Sequence, residues 1–174
     1  MRRVLSLSAV ILLLWVGLAL AATFTSAQSG NWNDGATWGN TSPGTEGTDY
    51  PTTAGGDDII ISGQHNIVIP SGHAAKADIN TINAGVSATN TILDIQGALT
   101  LESDITAGGY FHLKLGAGAT LELAGYDLLH AGGYTYGRIT IAGTSGSRAT
   151  VQSTGTAGGR IGAAADGSYM AVSL

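Results

Sequence analysis

The sequence predicts an all-β protein folded as a parallel β-helix, a solenoid with an N-terminal cap, and three observations predict it. Past about the first twenty residues, Ile, Leu and Val alternate with polar residues instead of recurring at helical spacing. Glycine outnumbers proline 27 to 3, which suits many sharp corners and few helices. One phrase is also repeated: LDIQGALTLE at 93–102 returns as LKLGAGATLE at 113–122 and, more loosely, as ITIAGTSGSRATVQ at 139–152. A single rung of such a repeat cannot bury its own apolar face, whereas rungs stacked about 4.8 Å apart bury a continuous one. An antiparallel β-sandwich explains the alternation equally well, but not why like residues fall over like.

The elements follow in chain order. Arg2 and Arg3 precede an apolar run from Val4 to Leu20, and Ala19-Leu20-Ala21 supplies the small-x-small pattern that signal peptidase needs. Residues 1–22 therefore read as a signal peptide cut near Ala21 or Ala22. The mature protein is expected to be secreted, extracellular or at the cell surface. No later stretch is apolar enough for a membrane helix, so no stable membrane span is expected after cleavage. Cleavage turns seven basic and twelve acidic residues into five and twelve, a net charge of about −7. A chain so poor in Lys and Arg has no basic stripe for a phosphate backbone, and nucleic acid is not an expected partner. With no cysteine, stability must come from backbone ladders and aliphatic packing.

Residues 23–58 form the expected cap region, which carries Trp32 and Trp38. From 59 to 174 the chain reads as rungs: DIIIS, NIVIP, TILDIQ, ALTLES, FHLKL, ATLELAG, RITIAG, ATVQS and YMAVSL are all short strands. Aligning the copies puts Leu93, Leu113 and Ile139 in one column and Ile95, Leu115 and Ile141 in the next. Further on, Thr100, Thr120 and Thr150 align, as do Leu101, Leu121 and Val151, and IIISGQHNIVI at 59–69 is a looser fourth copy. The sequence stops on an apparent strand, DGSYMAVSL, without a polar cap. An uncovered last rung invites aggregation, so the chain is expected to be the front part of a longer product.

GNWNDGATWG at 30–39, GGDDIIISGQHNIVI at 55–69 and IQGALTLE at 95–102 together resemble the opening of a G8 domain. Such modules begin with paired tryptophans and continue through a Gly-Asp-x-hydrophobic-x-hydrophobic strand. More broadly, residues 30–125 are similar to the amino-terminal part of pectin-lyase-like right-handed β-helix proteins. The long stretch NTSPGTEGTDYPTTAGG departs from the G8 pattern. The resemblance implies a right-handed coil and an extracellular setting. Many such proteins bind or cleave polysaccharide; others are stalks and adhesins.

The candidate sites each carry two readings. Glu102 and Glu122 fall in one outward column with Gln152 above. They read either as a carboxylate pair or as two solvated acids. Asp94 beside Lys114 reads as a surface ion pair. Asp57-Asp58 is the one metal candidate, for calcium, against a turn cap followed by a strand start; no other cofactor is expected. Asn31, Asn33 and Asp34 have the composition of an Asx turn. Trp32 and Trp38 read as a sugar-stacking platform or as a plug over the first rung. Tyr110, Tyr134 and Tyr136, with Phe111 and Tyr126, read as a glycan-contact face or as corner shielding. His65, His73, His112 and His130 lack zinc spacing, and no catalytic residue is assigned. The expected function is a non-catalytic scaffold or adhesion-type module contacting extracellular polysaccharide or other surface components. The alternative is the front of a polysaccharide lyase or hydrolase whose active rungs lie beyond Leu174.

Overall fold

The computed structural model describes residues 21–82, 91–108, 110–131, 137–155, 158–163 and 170–173. The first half contains β1 (Thr23–Thr25), β2 (Gly30–Asn31), a short 3-10 helix (Gly35–Trp38), β3 (Asp58–Ile61), β4 (Asn66–Ile69), β5 (Ala74–Ile82) and β6 (Thr91–Ile95). There follow β7 (Ala98–Leu101), β8 (Ile105–Gly108), β9 (Phe111–Leu115), β10 (Thr120–Glu122) and β11 (Leu128–Ala131). The last are β12 (Gly137–Ile141), β13 (Thr150–Gln152), β14 (Ile161–Ala163) and β15 (Met170–Ser173). The protein is all-β, and every pairing between these strands is parallel. The antiparallel sandwich is therefore not what forms.

Six strands make one sheet in the order β15-β12-β9-β6-β4-β2. The second sheet runs β13-β10-β7-β5-β8-β11-β14, with β3 on β5 and β1 on β3. Its two halves meet in the long β5. Ala74–Ala77 pair with β7, whereas the far end pairs with β3 and, at Ile82, with β8. From β4 onward the chain passes through both halves of the second sheet between successive visits to the six-stranded one, and always in the same direction, which is why every neighbour is parallel.

The first pair of expected columns holds. Ile67, Leu93, Leu113 and Ile139 lie over one another, as do Ile69, Ile95, Leu115 and Ile141. Along β6 the pattern alternates: Thr91, Leu93 and Ile95 are buried, and Ile92 and Asp94 face outward. Burying a Leu or Ile contributes roughly 1.5–3 kcal/mol, so each aliphatic column adds substantially to stability.

The second pair of columns is corrected between β7 and β10. Leu121 lies over Leu99, not Leu101, and Glu122 lies over Thr100. The reason is corner length. After Ile95 only Gln96 and Gly97 precede β7, whereas Gly116 to Ala119 intervene between β9 and β10. A slip of two residues preserves the face each side chain occupies, so the core is kept while the neighbours change. Above β10 the expected alignment returns: Thr120 with Thr150, Leu121 with Val151, Glu122 with Gln152.

At the β1–β2 end the sequence builds an aromatic cluster. Asp34 caps the 3-10 helix by accepting from the Ala36 amide at 3.0 Å, the Asx behaviour expected of NWNDG. Gly39 ends the helix at φ +78°, a conformation glycine adopts without strain. This turn brings Trp38 edge-on to Trp32, with ring centroids 5.3 Å apart, and to Phe24 at 6.0 Å. The Trp38 indole N–H donates to the Trp32 carbonyl at 2.8 Å. All three rings are buried in the core.

Candidate functional site

The carboxylates that looked catalytic or metal-binding hold the corners together. Glu102 stands just past β7 and accepts from the Gly56 amide at 2.5 Å and from Lys76 Nζ at 3.0 Å. Gly55 and Gly56, both at positive φ, let the backbone come this close. A Cβ on Gly55 would sit 2.4 Å from Glu102 Oε1. Glu122 instead accepts from Ala124 N at 2.7 Å and Thr154 N at 2.8 Å, joining its own turn to the next coil. These amides, Thr154 foremost, hold its carboxyl below the usual range against the opposing effect of burial. Ala124, at φ +52°, occupies the left-handed region that this bond helps to stabilise. The expected pair of outward carboxylates is thus corrected. Glu102 and Glu122 have different partners, do not face one another in the register, and Glu122 is buried.

Asp57 is buried, with Oδ1 accepting from Ala22 N at 3.1 Å and Oδ2 from Thr52 N at 2.8 Å. Asp58 begins β3 in register with Asp78 and Thr23. The donor set does not suit calcium, because both oxygens of Asp57 already receive amide protons in an enclosed setting. Among the described residues no group of three or more His, Asp or Glu could hold a metal ion. Asp127 receives a fork from Arg160, with Nε at 3.0 Å and the backbone N–H at 2.8 Å. Arg160 thereby holds the Asp127 carboxyl below the usual range.

The aromatic candidates divide. Trp32 and Trp38 are buried and cannot present an indole face to a sugar, which favours the plug of the two readings and removes them from the glycan-contact candidates. Tyr110 is half-buried, and its carbonyl accepts from Thr91 N. Tyr134 and Tyr136 lie outside the described residues. The sequence also gave no sign that Ser26 Oγ lies 2.8 Å from His65 Nδ1. That hydroxyl is enclosed and accepts from Ser62 N at 2.9 Å. Because Ser62 Oγ in turn donates to the Ser26 carbonyl, the group reads as a tie between β1 and β3, not as an exposed nucleophile.

The outer face of the six-stranded sheet is partly open to solvent. Its register stacks Val68, Asp94, Lys114 and Thr140 in one column and Ile92, His112 and Arg138 in the next. Asp94 and Lys114 are register neighbours, but no ion pair forms between them within 4.0 Å, which corrects the expected surface bridge. Lys114 and Arg138 have no carboxylate within that distance among the described residues. Lys114, with Ser71, Asp94, Gln96 and Thr140, lines a shallow groove of about 410 Å³. A second groove of about 380 Å³ shares Ser71 and Gln96 and continues round the corner past His73 and Thr120.

His112 lies within this face, its Nε2 2.9 Å from Thr140 Oγ1. Burial first, then Lys114 and Arg138, lower its pKa from the ordinary 6.5, with Asp94 opposing. Burial lowers His73 likewise, against Glu46. The unfolded chain therefore takes up protons near pH 6.5 that the folded chain refuses, and stability is expected to fall as pH drops below that value. A second loss is expected below about pH 4.5, when the depressed carboxyls of Glu122 and Asp127 begin to protonate in the unfolded chain. Melting temperatures measured from pH 8 to 3 check both windows. His112→Asn should reduce the upper one and leave the share of His73, and a wild-type curve flat between about 7.5 and 5.5 counts against the account. Comparison with known protein families, with curated proteins and with solved structures finds no match for this chain.

Proposed function

We propose that the chain is a secreted, right-handed parallel β-helix of the pectin-lyase-like, G8-resembling kind. In this reading it is a non-catalytic scaffold or adhesion-type module whose six-stranded face contacts acidic polysaccharide outside the cell. One observation carries this reading: the acids considered as reactive groups are tied to backbone amides at corners, while Lys114, which lines an open groove, and Arg138 on the same sheet face have no carboxylate within 4.0 Å among the described residues. A carboxylate fixed in this way stabilises a turn and is poorly placed to shuttle protons. A cation in a shallow groove suits a uronate carboxylate on an extended polymer, Gln96, Ser71 and Thr140 add groups for sugar hydroxyls, and Leu115, Ala117 and Ala142 add an apolar floor. The mature chain is acidic overall, so attraction is local and depends on ionic strength.

The test is binding of the exported protein to polygalacturonate or hyaluronan, with a neutral glucan as control. Acidic polymer is expected to bind, and the double substitution Lys114→Ala with Arg138→Ala to weaken it about tenfold or more while the far-UV spectrum is unchanged. Equal binding of neutral polymer, or none of either, overturns the contact. Depolymerisation of the uronate polymer by this chain overturns the non-catalytic part and favours the lyase or hydrolase reading.

A further inference from the structure

Asp57 poses an electrostatic problem that the described side chains leave unsolved. It is 5 % exposed, and its two oxygens meet only the neutral amides of Ala22 and Thr52. The ion pairs among the described residues are Lys76 with Glu102 and Arg160 with Asp127, so no cationic side chain lies within 4.0 Å of Asp57. Removing a carboxylate from water without a counter-charge is costly, and two neutral donors offset only part of that cost. The donor on Oδ1, however, is no ordinary amide. It belongs to Ala22, the residue that follows Ala19-Leu20-Ala21.

We propose that export processing hydrolyses the Ala21–Ala22 peptide bond, and that the new α-ammonium of Ala22 is the counter-ion of Asp57. In this step a signal peptidase adds water across the bond: the carboxylate stays on Ala21, and the amine stays on Ala22 and takes up a proton. The nitrogen already 3.1 Å from Asp57 Oδ1 then carries a full positive charge and three donors in place of one. The surroundings single out this bond among its neighbours. Ala21 is exposed, whereas Ala22 packs against the core and its carbonyl accepts from Asp58 N at 2.8 Å. A cut one residue later would delete both the donor to Asp57 and the acceptor for Asp58. A cut upstream would leave an amide where the charge is needed. The cleavage signal and the buried acid thus specify the same residue, 35 positions apart in sequence. The inference rests on the reading of the chain as exported.

Two measurements on the product exported by a secreting host test it. Amino-terminal sequencing is expected to begin at Ala22. A start at Thr23 or elsewhere overturns the cleavage site, and an unprocessed chain overturns the export reading and the proposal with it. The second measurement is competitive acetylation of the α-amine against pH, read by mass spectrometry of the amino-terminal peptide. A free α-amine titrates near 7.7–8.0. In the native protein its midpoint is expected about one unit or more higher than in the same protein unfolded in denaturant. Asp57→Asn should bring the native midpoint back to the unfolded value. The wild-type comparison in denaturant needs no variant to fold, and equal midpoints there overturn the ion pair even if the cleavage site is right.

Discussion

Trp32→Ala is expected to lower the unfolding free energy by about 3–5 kcal/mol, the loss expected when the largest of the fully buried side chains among the described residues is truncated. Trp32 is 0 % exposed, packs edge-on against Trp38, and offers its carbonyl to the Trp38 indole N–H. Removing the ring leaves a cavity at the end of the molecule where β1 and β2 stand at the limits of their sheets. The Trp32 indole nitrogen itself is buried without a hydrogen-bond partner among the described residues. Trp32→Phe, which deletes that N–H and keeps an aromatic ring, should therefore cost much less than the alanine change. Urea unfolding of the two variants checks the order, and an alanine variant within about 1 kcal/mol of wild type would remove the plug role. A Trp38→Ala variant that keeps its fold while losing polysaccharide binding would restore the platform that burial argues against.

Gly97→Ala is expected to destabilise by about 2–4 kcal/mol, well beyond the small gain from a stiffer unfolded chain. A Cβ there would lie 2.2 Å from the His73 carbonyl oxygen and 2.4 Å from that of Pro70. Both obstacles are backbone, so no side-chain rotation relieves the clash. The residue cannot retreat either: its amide donates to Ile69 O at 3.1 Å and its carbonyl accepts from Thr120 N at 2.9 Å. Gly146 is the control, with nothing within 4 Å of its added Cβ, and Gly146→Ala should stay within about 0.5 kcal/mol of wild type. Equal effects at the two positions would mean that close stacking of the corners is not what Gly97 provides.

These two positions mark how far the sequence could be read. NWNDGATW suggested a turn and two uses for its paired tryptophans, a platform or a plug, and only the packing of both indoles against the core decides for the plug. The Leu93–Leu113–Ile139 column was legible because those strands enter the six-stranded sheet in phase. The Leu101–Leu121 column was misread because residue spacing does not reveal that Gly116 to Ala119 form a longer corner than Gln96-Gly97. That two-residue difference undid the Glu102–Glu122 pair. The face carrying Lys114, Arg138 and His112 was missed for a related reason: its members come from separate strands, and each alone resembles an ordinary outward residue.

By itself, the sequence determined the all-β class, the parallel stacking of similar strands and the inward set of aliphatic residues. These follow from period-two alternation and from repetition, both of which are local properties of the chain. Only the tertiary structure decided where the acids go. A carboxylate is chemically the same in a catalytic pair, a calcium loop or a corner tie, and its role depends on which amides, often from a distant coil, arrive within 3 Å of it. Asp57 meets Ala22, Glu102 meets Gly56 and Glu122 meets Thr154, contacts fixed by corner lengths and coil stacking that no single stretch of sequence contains.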